Sequence, residues 1–405
     1  DFHFEDVFIA QTHVDRPTDP YLQLVENRYA LIKVNATSAS GALAPDFVAT
    51  VTDSSGHVLG SLRLTGPDHL PTNVKLPYDP ANKQVTLDSL GLQTNADSYV
   101  APLPSEWIKP GIRVTITADG QTISSFSPNV GADSQMIVRD VNITMNDDNV
   151  GVDTTGIASW AEDAIARLPY GGMKLYVYPS FRMDQYGWAN SGNYGLKAGI
   201  KTNLPGSDPS YGDGFPSTIA MEYSMAGKFL GSNYTVGNQI AFVGSQYTFG
   251  AGLGGGWIGG GGDTAGVLWH ETFGHGQGLP HAGTDSNNPL NYYTFNGVQT
   301  LGWLGPQWAY DQNTQTYLPN YKVNPDGSIF LLTDPMWGGD GQQPAGYVFQ
   351  PFSDYYTNII YNNIAPRLEW ISDPTKSWSF GGFSGEGYFR NCLLYTSPSP
   401  RDQRG

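Results

Sequence analysis

Hydrophobic and polar residues alternate along the first third of the chain, which is typical of half-buried β-strands. The alternation runs through RYALIKVNAT, DFVATVTDSSGHVLGSLRLTG and GIRVTITADGQTISSF. The last two stretches contain Asp, Ser and Gly at 53–56 and 119–120, which indicate hairpin turns. The pattern predicts an all-β domain over residues 1–133, of the immunoglobulin-like sandwich type.

The pattern changes after residue 133. A strand-like stretch, MIVRDVNITM, precedes TTGIASWAEDAIARLP, in which apolar residues recur at helical spacing and Thr154 or Thr155 can cap the helix. The stretches MKLYVYP and NQIAFVGSQYTFG again have the character of strands. Strands that alternate with a helix predict a mixed α/β domain over residues 134–391, so the whole chain is expected to be an α+β multidomain protein.

Residues 392–405 have a different character from the rest of the chain. The stretch CLLYTSPSPRD resembles the translation of a transposase adapter used in preparing DNA libraries. We therefore expect an artefactual tail, and a catalytic domain that is truncated near Asn391. A genuine Pro/Ser-rich tail is the alternative. The single cysteine, Cys392, lies in this tail, which excludes disulfides and cysteine-based zinc sites from the remaining sequence.

Charge and composition narrow the classes of partner. The chain has 405 residues and a formal net charge of −16, which argues against nucleic acid or an anionic membrane as partner. No apolar run is long enough to cross a bilayer. The lack of cysteine before the tail is compatible with a secreted protein, and Asp1 in place of a start methionine is compatible with a removed signal peptide. Secretion is the expectation, and the sequence leaves the oligomeric state open.

A glycine-rich run, GAGLGGGWIGGGGDTAG, precedes the most informative part of the sequence. It lacks the Gly-Lys-Ser/Thr ending of a phosphate-binding loop. A flexible loop that leads into a helix, capped by Asp263 or Thr264, is therefore the favoured interpretation.

Three of the seven histidines lie close together in WHETFGHGQGLPH, residues 269–281. Histidines that only make hydrogen bonds on a polar helix are the structural alternative, but three spaced histidines beside a glutamate favour a catalytic zinc site. His270, His275 and His281 are the candidate Zn²⁺ ligands, and Glu271 is the candidate general base. Gly278 would let the backbone turn sharply, so that His281 can reach the same metal.

The spacing contains one residue more than the familiar H-E-x-x-H-x-x-G-x-x-H motif. Residues five apart on an α-helix differ by about 140° around the axis, against about 40° for residues four apart. A π-bulge near Gly274 would restore a common direction for His270 and His275. The motif of dipeptidyl peptidase III resembles this spelling and has the same insertion. An error in the sequence is the competing explanation.

Three stretches together resemble the StcE-like metallopeptidases of the metzincin clan: HGQGLPHAG, LLTDPMWGGDG and FSDYYTNIIYNNI. The resemblance implies a metzincin-like catalytic domain, with Met336 as the Met-turn methionine beneath the metal and a helix after it. It further implies a secreted zinc endopeptidase that hydrolyses peptide bonds of extracellular, mucin-type glycosylated proteins. The stretch NQIAFVGSQYTF is a candidate edge strand for an extended substrate.

Two other classes of function stay open at this point. One is a catalytically inactive adhesin or glycan-binding homologue with a decayed metal site, which the inserted residue would explain. The other is a glycoside hydrolase with paired carboxylates, although no carboxylate pair stands out and that chemistry does not need the histidines.

Overall fold

The computed structural model of the protein is rich in β-structure. It describes residues 2–75, 82–145, 157–177, 181–183, 185–190, 193–198, 239–245, 252–262, 265–339, 341–364 and 385–390. The strands of the first third are β1 (His3–Ala10), β2 (Val14–Asp15), β3 (Leu24–Val25), β4 (Ala30–Thr37), β5 (Phe47–Thr52), β6 (Val58–Arg63), β7 (Gln84–Val85), β8 (Tyr99–Leu103), β9 (Arg113–Ala118), β10 (Gln121–Phe126) and β11 (Val130–Gly131).

Strands and short helices alternate in the rest of the described chain. The strands are β12 (Gln135–Met145), β13 (Gly172–Val177), β14 (Phe181–Met183), β15 (Gln185–Asn190), β16 (Asn193–Ala198), β17 (Gln239–Ser245), β18 (Gly252–Gly255), β19 (Ile258–Gly262), β20 (Thr294–Phe295), β21 (Val298–Gln299), β22 (Ala309–Asp311), β23 (Thr316–Leu318), β24 (Tyr321–Val323), β25 (Ile329–Leu331) and β26 (Gly385–Arg390). The α-helices are α1 (Ile157–Arg167), α2 (Ala265–Val267) and α3 (Asp354–Ile364). The 3₁₀ helices are Asp88–Leu90, Ser105–Trp107, His275–Gln277, Pro289–Tyr292 and Pro335–Trp337, and a π-helical segment spans Leu268–Gly274.

The first third forms two four-stranded antiparallel sheets, in the orders β2-β1-β4-β8 and β10-β9-β5-β6. Side chains such as Ile32 in the first sheet and Val51 and Ile116 in the second are fully buried in one common core. Both predicted hairpins are present, and Asp119 and Gly120 have the positive φ angles that a tight hairpin turn requires. The predicted all-β first domain is confirmed as a β-rich region.

A seven-stranded sheet follows, in the order β18-β19-β17-β12-β13-β26, with β14 also paired to β12. Strands β13, β12, β17 and β19 are mutually parallel, whereas β18 and β26 are antiparallel to their neighbours. The prediction that β17 is a free edge for substrate is wrong, because its two sides are hydrogen-bonded to β12 and β19. Among the described strands, β18 is the edge on that side of the sheet.

Helix α1 lies between β12 and β13 in sequence, as the spacing of apolar residues predicts. Ala161, Ala164 and Ile165 are buried in one core with Met136 of β12 and Met173 of β13. The amphipathic face of the helix therefore covers the parallel sheet. The predicted caps Thr154 and Thr155 lie outside the described residues.

The sandwich shares a second core with the later part of the chain. Tyr29 and Leu31 are buried together with Trp308 and Tyr310. The backbones also pair, since the Val14 amide donates to the Trp308 carbonyl at 2.9 Å and β7 runs parallel to β20. The boundary predicted at residue 133 stays a prediction, and the two sides of it are joined by buried contacts.

Arg28 makes a further contact between the two parts of the chain, with 0% of its surface exposed. Its Nη1 and Nη2 atoms donate to the carbonyls of Ala166, Leu168 and Tyr170, at the C-terminal end of α1. Its Nε donates to Gln312 Oε1 at 2.8 Å. The final carbonyls of a helix have no partner within the helix, so this guanidinium from the sandwich completes the end of α1.

The residues predicted to form an artefactual tail, 392–405, lie outside the described part of the chain, so that interpretation stays a prediction. In the part that the structure describes, no helix is both long and apolar enough to cross a membrane.

Buried carboxyls of the sandwich lie near a buried carboxyl at the start of α3. Burial, together with the nearby carboxyl of Asp354, raises the pKa of Asp15 well above its usual range. Burial also raises the pKa of Asp19, and it raises the pKa of Asp354 to about 7. Asp15 Oδ1 has no hydrogen-bond partner among the described residues. The folded protein therefore holds protons here that the unfolded chain releases.

This raised pKa predicts that acidification stabilises the contact. A carboxyl whose pKa is higher in the folded state stabilises that state at low pH, and the contribution is lost as pH rises through the folded pKa, here about 7. Each unit of pKa difference is worth about 1.4 kcal/mol. We expect Asp354→Asn to flatten the fall in unfolding free energy between pH 5 and pH 8, measured by denaturant titration at each pH.

Asp326→Asn is the matched control, because Asp326 lies in an exposed turn and hydrogen bonds from Ser328 lower its pKa. This variant should keep the pH dependence of the parent between pH 5 and pH 8. Equal slopes for the two variants would contradict the prediction.

Candidate metal centre

The extra residue in the histidine motif is accommodated by a π-helical turn. Helix α2 continues into the π-helical segment Leu268–Gly274, which is followed by the 3₁₀ helix His275–Gln277. The His275 amide donates to the carbonyls of both Glu271 and His270, and the second of these bonds spans five residues. The predicted π turn is therefore confirmed, and it brings His270 and His275 to the same side.

Gly274 ends the π-helical segment and lies directly on Met336. A Cβ atom at position 274 would be 2.1 Å from Met336 Sδ, so any larger residue would collide with the methionine. Met336 is fully buried in the 3₁₀ helix Pro335–Trp337. Met336, which the resemblance identified as the Met-turn methionine, thus packs against the π turn at Gly274.

The imidazoles of His270, His275 and His281 converge. One ring nitrogen of each lies within 4.8 Å of those of the other two, and the Nε2 atoms of His275 and His281 are 3.1 Å apart. Gly278 adopts the left-handed conformation, with φ of 84°, that turns the backbone toward His281. The turn predicted at Gly278 is confirmed, and the structure brings all three predicted histidines together.

Backbone carbonyls hold two of the three rings. The Nδ1 atom of His270 lies 2.8 Å from the Pro335 carbonyl, and that of His275 lies 2.7 Å from the Leu279 carbonyl. Because a carbonyl can only accept a hydrogen bond, each Nδ1 carries the proton and each Nε2 keeps a lone pair. Burial, and the neighbouring histidines, lower the pKa of His275 and favour its neutral form. This donor set fits a metal that binds neutral imidazole nitrogen.

Glu271 is 8% exposed and lies in the same π-helical segment. Its Oε2 atom has no hydrogen-bond partner within the described part of the chain. Burial raises the pKa of this carboxyl to about 7. A carboxyl that is buried and unpaired beside the imidazoles is suited to exchange protons near neutral pH.

The glycine-rich run before the motif forms an antiparallel hairpin of β18 and β19, and the prediction of a flexible loop is wrong. A Cβ at Gly254 would be 2.0 Å from the Glu271 carbonyl oxygen, and one at Gly259 would be 2.2 Å from Thr272 Oγ1. The Trp257 amide donates to the Gly276 carbonyl at 2.9 Å. The glycines are needed because the hairpin backbone lies directly against the π turn. The caps predicted for the helix that follows the run, Asp263 and Thr264, lie outside the described residues.

Comparison with known proteins shows the family of this chain. The family model described as peptidase M66 matches residues 89–369. The chain belongs to the peptidase M66 family. The match begins within the β-rich first third, upstream of the boundary predicted at residue 133.

Relatives of this M66 chain occur in bacteria and in an amoeba. Dictomallein of Burkholderia pseudomallei (strain 1710b) is 26% identical over 408 residues, which cover 89% of this chain and 53% of that protein. Dictomallein of Burkholderia mallei (strain SAVP1) has the same identity and coverage. Dictomallein-1 of Dictyostelium discoideum is 25% identical over 430 residues, which cover 95% of this chain and 67% of that protein. The chain therefore spans about half the length of the Burkholderia relatives.

Asp334 is a site residue of the M66 chain that sequence reasoning missed. It is 1% exposed, and its carboxylate accepts hydrogen bonds from the amides of Met336 and Ser353, at 2.8 and 2.7 Å. Burial raises the pKa of Asp334 to about 6. The residue fixes the methionine segment to the start of α3. The Asp-Pro pair at 334–335 was the available signal, since it is typical of a helix start.

Close packing at Gly274 predicts that any side chain at this position lowers the free energy of unfolding. Gly274→Ala should lower the unfolding free energy by about 1–3 kcal/mol, which is typical of overpacking in a core. It should also lower bound metal, because the π turn positions two of the histidines. Denaturant unfolding and elemental analysis of the purified variant measure the two effects.

Met336→Ala supplies the matched background for this test. It removes the sulfur that the new Cβ would strike, so Gly274→Ala should cost less in the double variant than alone. Additive costs would show that Gly274 is not limited by Met336.

Proposed function

We propose that this M66 chain is a zinc-dependent endopeptidase, with His270, His275 and His281 as the metal ligands and Glu271 as the general base. The observation that carries the proposal is the convergence of three imidazoles, two of them with Nδ1 engaged by backbone carbonyls, beside a buried and unpaired carboxylate. Three histidine ligands leave one position open for water or substrate, as catalytic zinc sites do.

When bound, zinc supplies a Lewis acid that polarises the substrate carbonyl and makes water nucleophilic near neutral pH. Glu271 accepts a proton from the attacking water as the new carbon–oxygen bond forms. The same carboxyl then gives this proton to the amine nitrogen as the peptide carbon–nitrogen bond breaks.

Backbone carbonyls and the Met336 side chain keep the candidate ligands in place. The Pro335 and Leu279 carbonyls orient the rings of His270 and His275, and Met336 fills the space under Gly274. We propose that Met336 acts as the Met-turn methionine, a positioning residue that supports the ligands and touches neither water nor substrate.

We propose extracellular proteins, including mucin-type glycosylated ones, as substrates of a secreted enzyme. The resemblance to the StcE-like peptidases supports this substrate class, and the cysteine-free sequence before the tail is compatible with secretion. The inactive-homologue alternative rested on the inserted residue. The π turn accommodates that residue without separating the histidines, which supports an intact site over a decayed one.

The ligand assignment predicts about one zinc ion per chain after dialysis against metal-free buffer. His275→Ala should lose most of it, because two ligands bind zinc far more weakly than three. Elemental analysis with a competing chromophoric chelator gives both stoichiometry and affinity. His69→Ala is the control, since His69 lies in the sandwich and hydrogen-bonds the Gly41 carbonyl. Equal zinc in both variants would remove His275 from the ligand set.

The role of Glu271 predicts a separation between metal binding and activity. Glu271→Gln should keep the fold and the zinc, and lose on the order of a hundredfold or more in kcat, because the amide cannot accept the proton. Cleavage of a denatured extracellular protein, followed by mass spectrometry, measures it. Glu162→Gln, on the surface of α1, should cleave at the parent rate. Unchanged cleavage by Glu271→Gln would exclude it as the base.

A further inference from the structure

A cavity of about 240 Å³ lies where the sandwich meets the later part of the chain. Its walls include Tyr21 and Lys83 from the first third of the chain, and Leu290, Tyr293, Gln307 and Asp354 from the rest. Neither the three candidate histidines nor Glu271 lines it. Small-molecule pockets usually have volumes of about 300–1,000 Å³, so this cavity suits a smaller ligand.

Two side chains in the cavity wall carry buried oxygen acceptors. Asp354 is 5% exposed, and its Oδ1 atom accepts from the Tyr355 amide at 2.7 Å. Gln307 is 7% exposed, and its Nε2 atom donates to Asp19 Oδ2 at 3.0 Å. Because that Asp19 oxygen also accepts from the Arg16 amide, the Gln307 nitrogen faces Asp19 and its Oε1 atom is left as an acceptor. No donor reaches this Oε1 atom among the residues that the structure describes, so the position favours a ligand that donates a hydrogen bond.

The charges around the cavity favour a cation over an anion. The Asp354 carboxyl lies near two further buried carboxyls, those of Asp15 and Asp19. Lys83 is a cationic side chain of the wall, whereas the Nε atom of the nearby Arg16 is engaged by Asp6 Oδ2 at 2.6 Å. An incoming anion would meet an excess of carboxyls, and a cation would stabilise their ionised form.

Aromatic and aliphatic side chains supply the rest of the wall. Tyr293 is 2% exposed, and its ring makes an edge-to-face contact with Trp303, with the ring centroids 5.6 Å apart. Lys83 Nζ lies 3.9 Å from the centroid of the Tyr293 ring. Ammonium groups are attracted to the faces of aromatic rings, so the protein's own lysine shows which kind of group this wall accepts. Tyr21 and Leu290 add apolar surface for an alkyl chain.

We propose that this cavity binds a primary ammonium group on a short alkyl chain, with the Asp354 carboxylate and Gln307 Oε1 as acceptors and the Tyr293 ring as the aromatic surface. A lysine side chain of a polypeptide and a small free amine share this chemistry. Lys83 is the internal competitor, because its ammonium group occupies the same ring. The inference goes beyond the proposed peptidase function and does not depend on it.

Ammonium binding at Asp354 is coupled to the loss of a proton. Burial raises the pKa of Asp354 to about 7, and an ammonium ligand favours the ionised carboxylate. The titratable groups near Asp354 are Asp15, Asp19, Tyr21, Lys83 and Tyr355. The amine itself keeps its charge below pH 8, because its pKa is about 10. Affinity should therefore rise with pH up to about 7 and then level off.

Calorimetry with the full chain and four small probes tests the site. The probes are n-butylammonium, Nα-acetyl-lysine amide, its apolar counterpart Nα-acetyl-norleucine amide, and butyrate. We expect an ammonium probe to bind with a Kd on the order of 1 mM, as is typical of ligands with few heavy atoms. Its affinity should be about tenfold higher at pH 8 than at pH 5.5, and buffers of different ionisation enthalpy should show proton release near pH 6. Norleucine amide and butyrate should bind at least about tenfold more weakly, because neither carries the cation.

Variants of the wall separate the site from general binding to an acidic protein. Asp354→Asn should weaken ammonium binding about tenfold and remove the proton release, whereas Asp326→Asn in the exposed turn should change neither. Lys83→Ala should strengthen binding a few-fold, because it frees the Tyr293 ring. Lys75→Ala is its matched control, since Lys75 is an exposed lysine outside the cavity wall. Lys83 is also exposed, so its variant keeps the test decisive if Asp354→Asn does not fold.

Three outcomes would overturn the ammonium site. The first is equal affinity for the lysine and norleucine amides, which would make the cavity a plain apolar one. The second is a preference for butyrate, which would make it an anion site around Lys83. The third is that neither ammonium probe binds to the parent or to Lys83→Ala. Binding of only one ammonium probe supports the proposal and identifies the source, n-butylammonium for a free amine and the lysine amide for a polypeptide side chain.

Discussion

Close packing around the π turn is the constraint on which the candidate site depends. A π turn is rare and occurs mostly as a single turn within a helix. Here the hairpin of β18 and β19 lies on one part of it, at the Glu271 carbonyl and Thr272, and Met336 lies under Gly274. The inserted residue therefore has a defined place, and the histidines on either side of it face a common point.

Local sequence patterns were sufficient for the main strands of the sandwich, for α1 and for the π turn, which follow from periodicity or from counting residues around a helix axis. Helix α3 was predicted only from the resemblance to the StcE-like peptidases. The glycine hairpin could not be predicted in this way, because glycine has no side chain and so leaves no alternation between β18 and β19. The glycines are required because the hairpin backbone packs against Glu271 and Thr272, and this tertiary contact cannot be inferred from local sequence.

The position of β17 and the role of Asp334 also depend on tertiary contacts that the local sequence does not reveal. The apolar residues of β17 predict a strand but do not identify its neighbours, so the sequence could not reveal that β17 is hydrogen-bonded on both sides. Asp334 has one partner two residues away and another nineteen residues away. Only the nearer of these could be inferred from helix-capping rules.

The buried guanidinium of Arg28 has a consequence for the order in which the molecule assembles. A chain is synthesised from its N-terminus, so the sandwich is complete before the carbonyls of Ala166, Leu168 and Tyr170 leave the ribosome. Until then Arg28 must stay hydrated, and the face that carries it must stay open. Closure of that face waits for residues 308–312 as well, which supply Gln312 and the aromatic partners of Tyr29. The sandwich therefore carries a buried charge whose partners are all supplied by later parts of the chain.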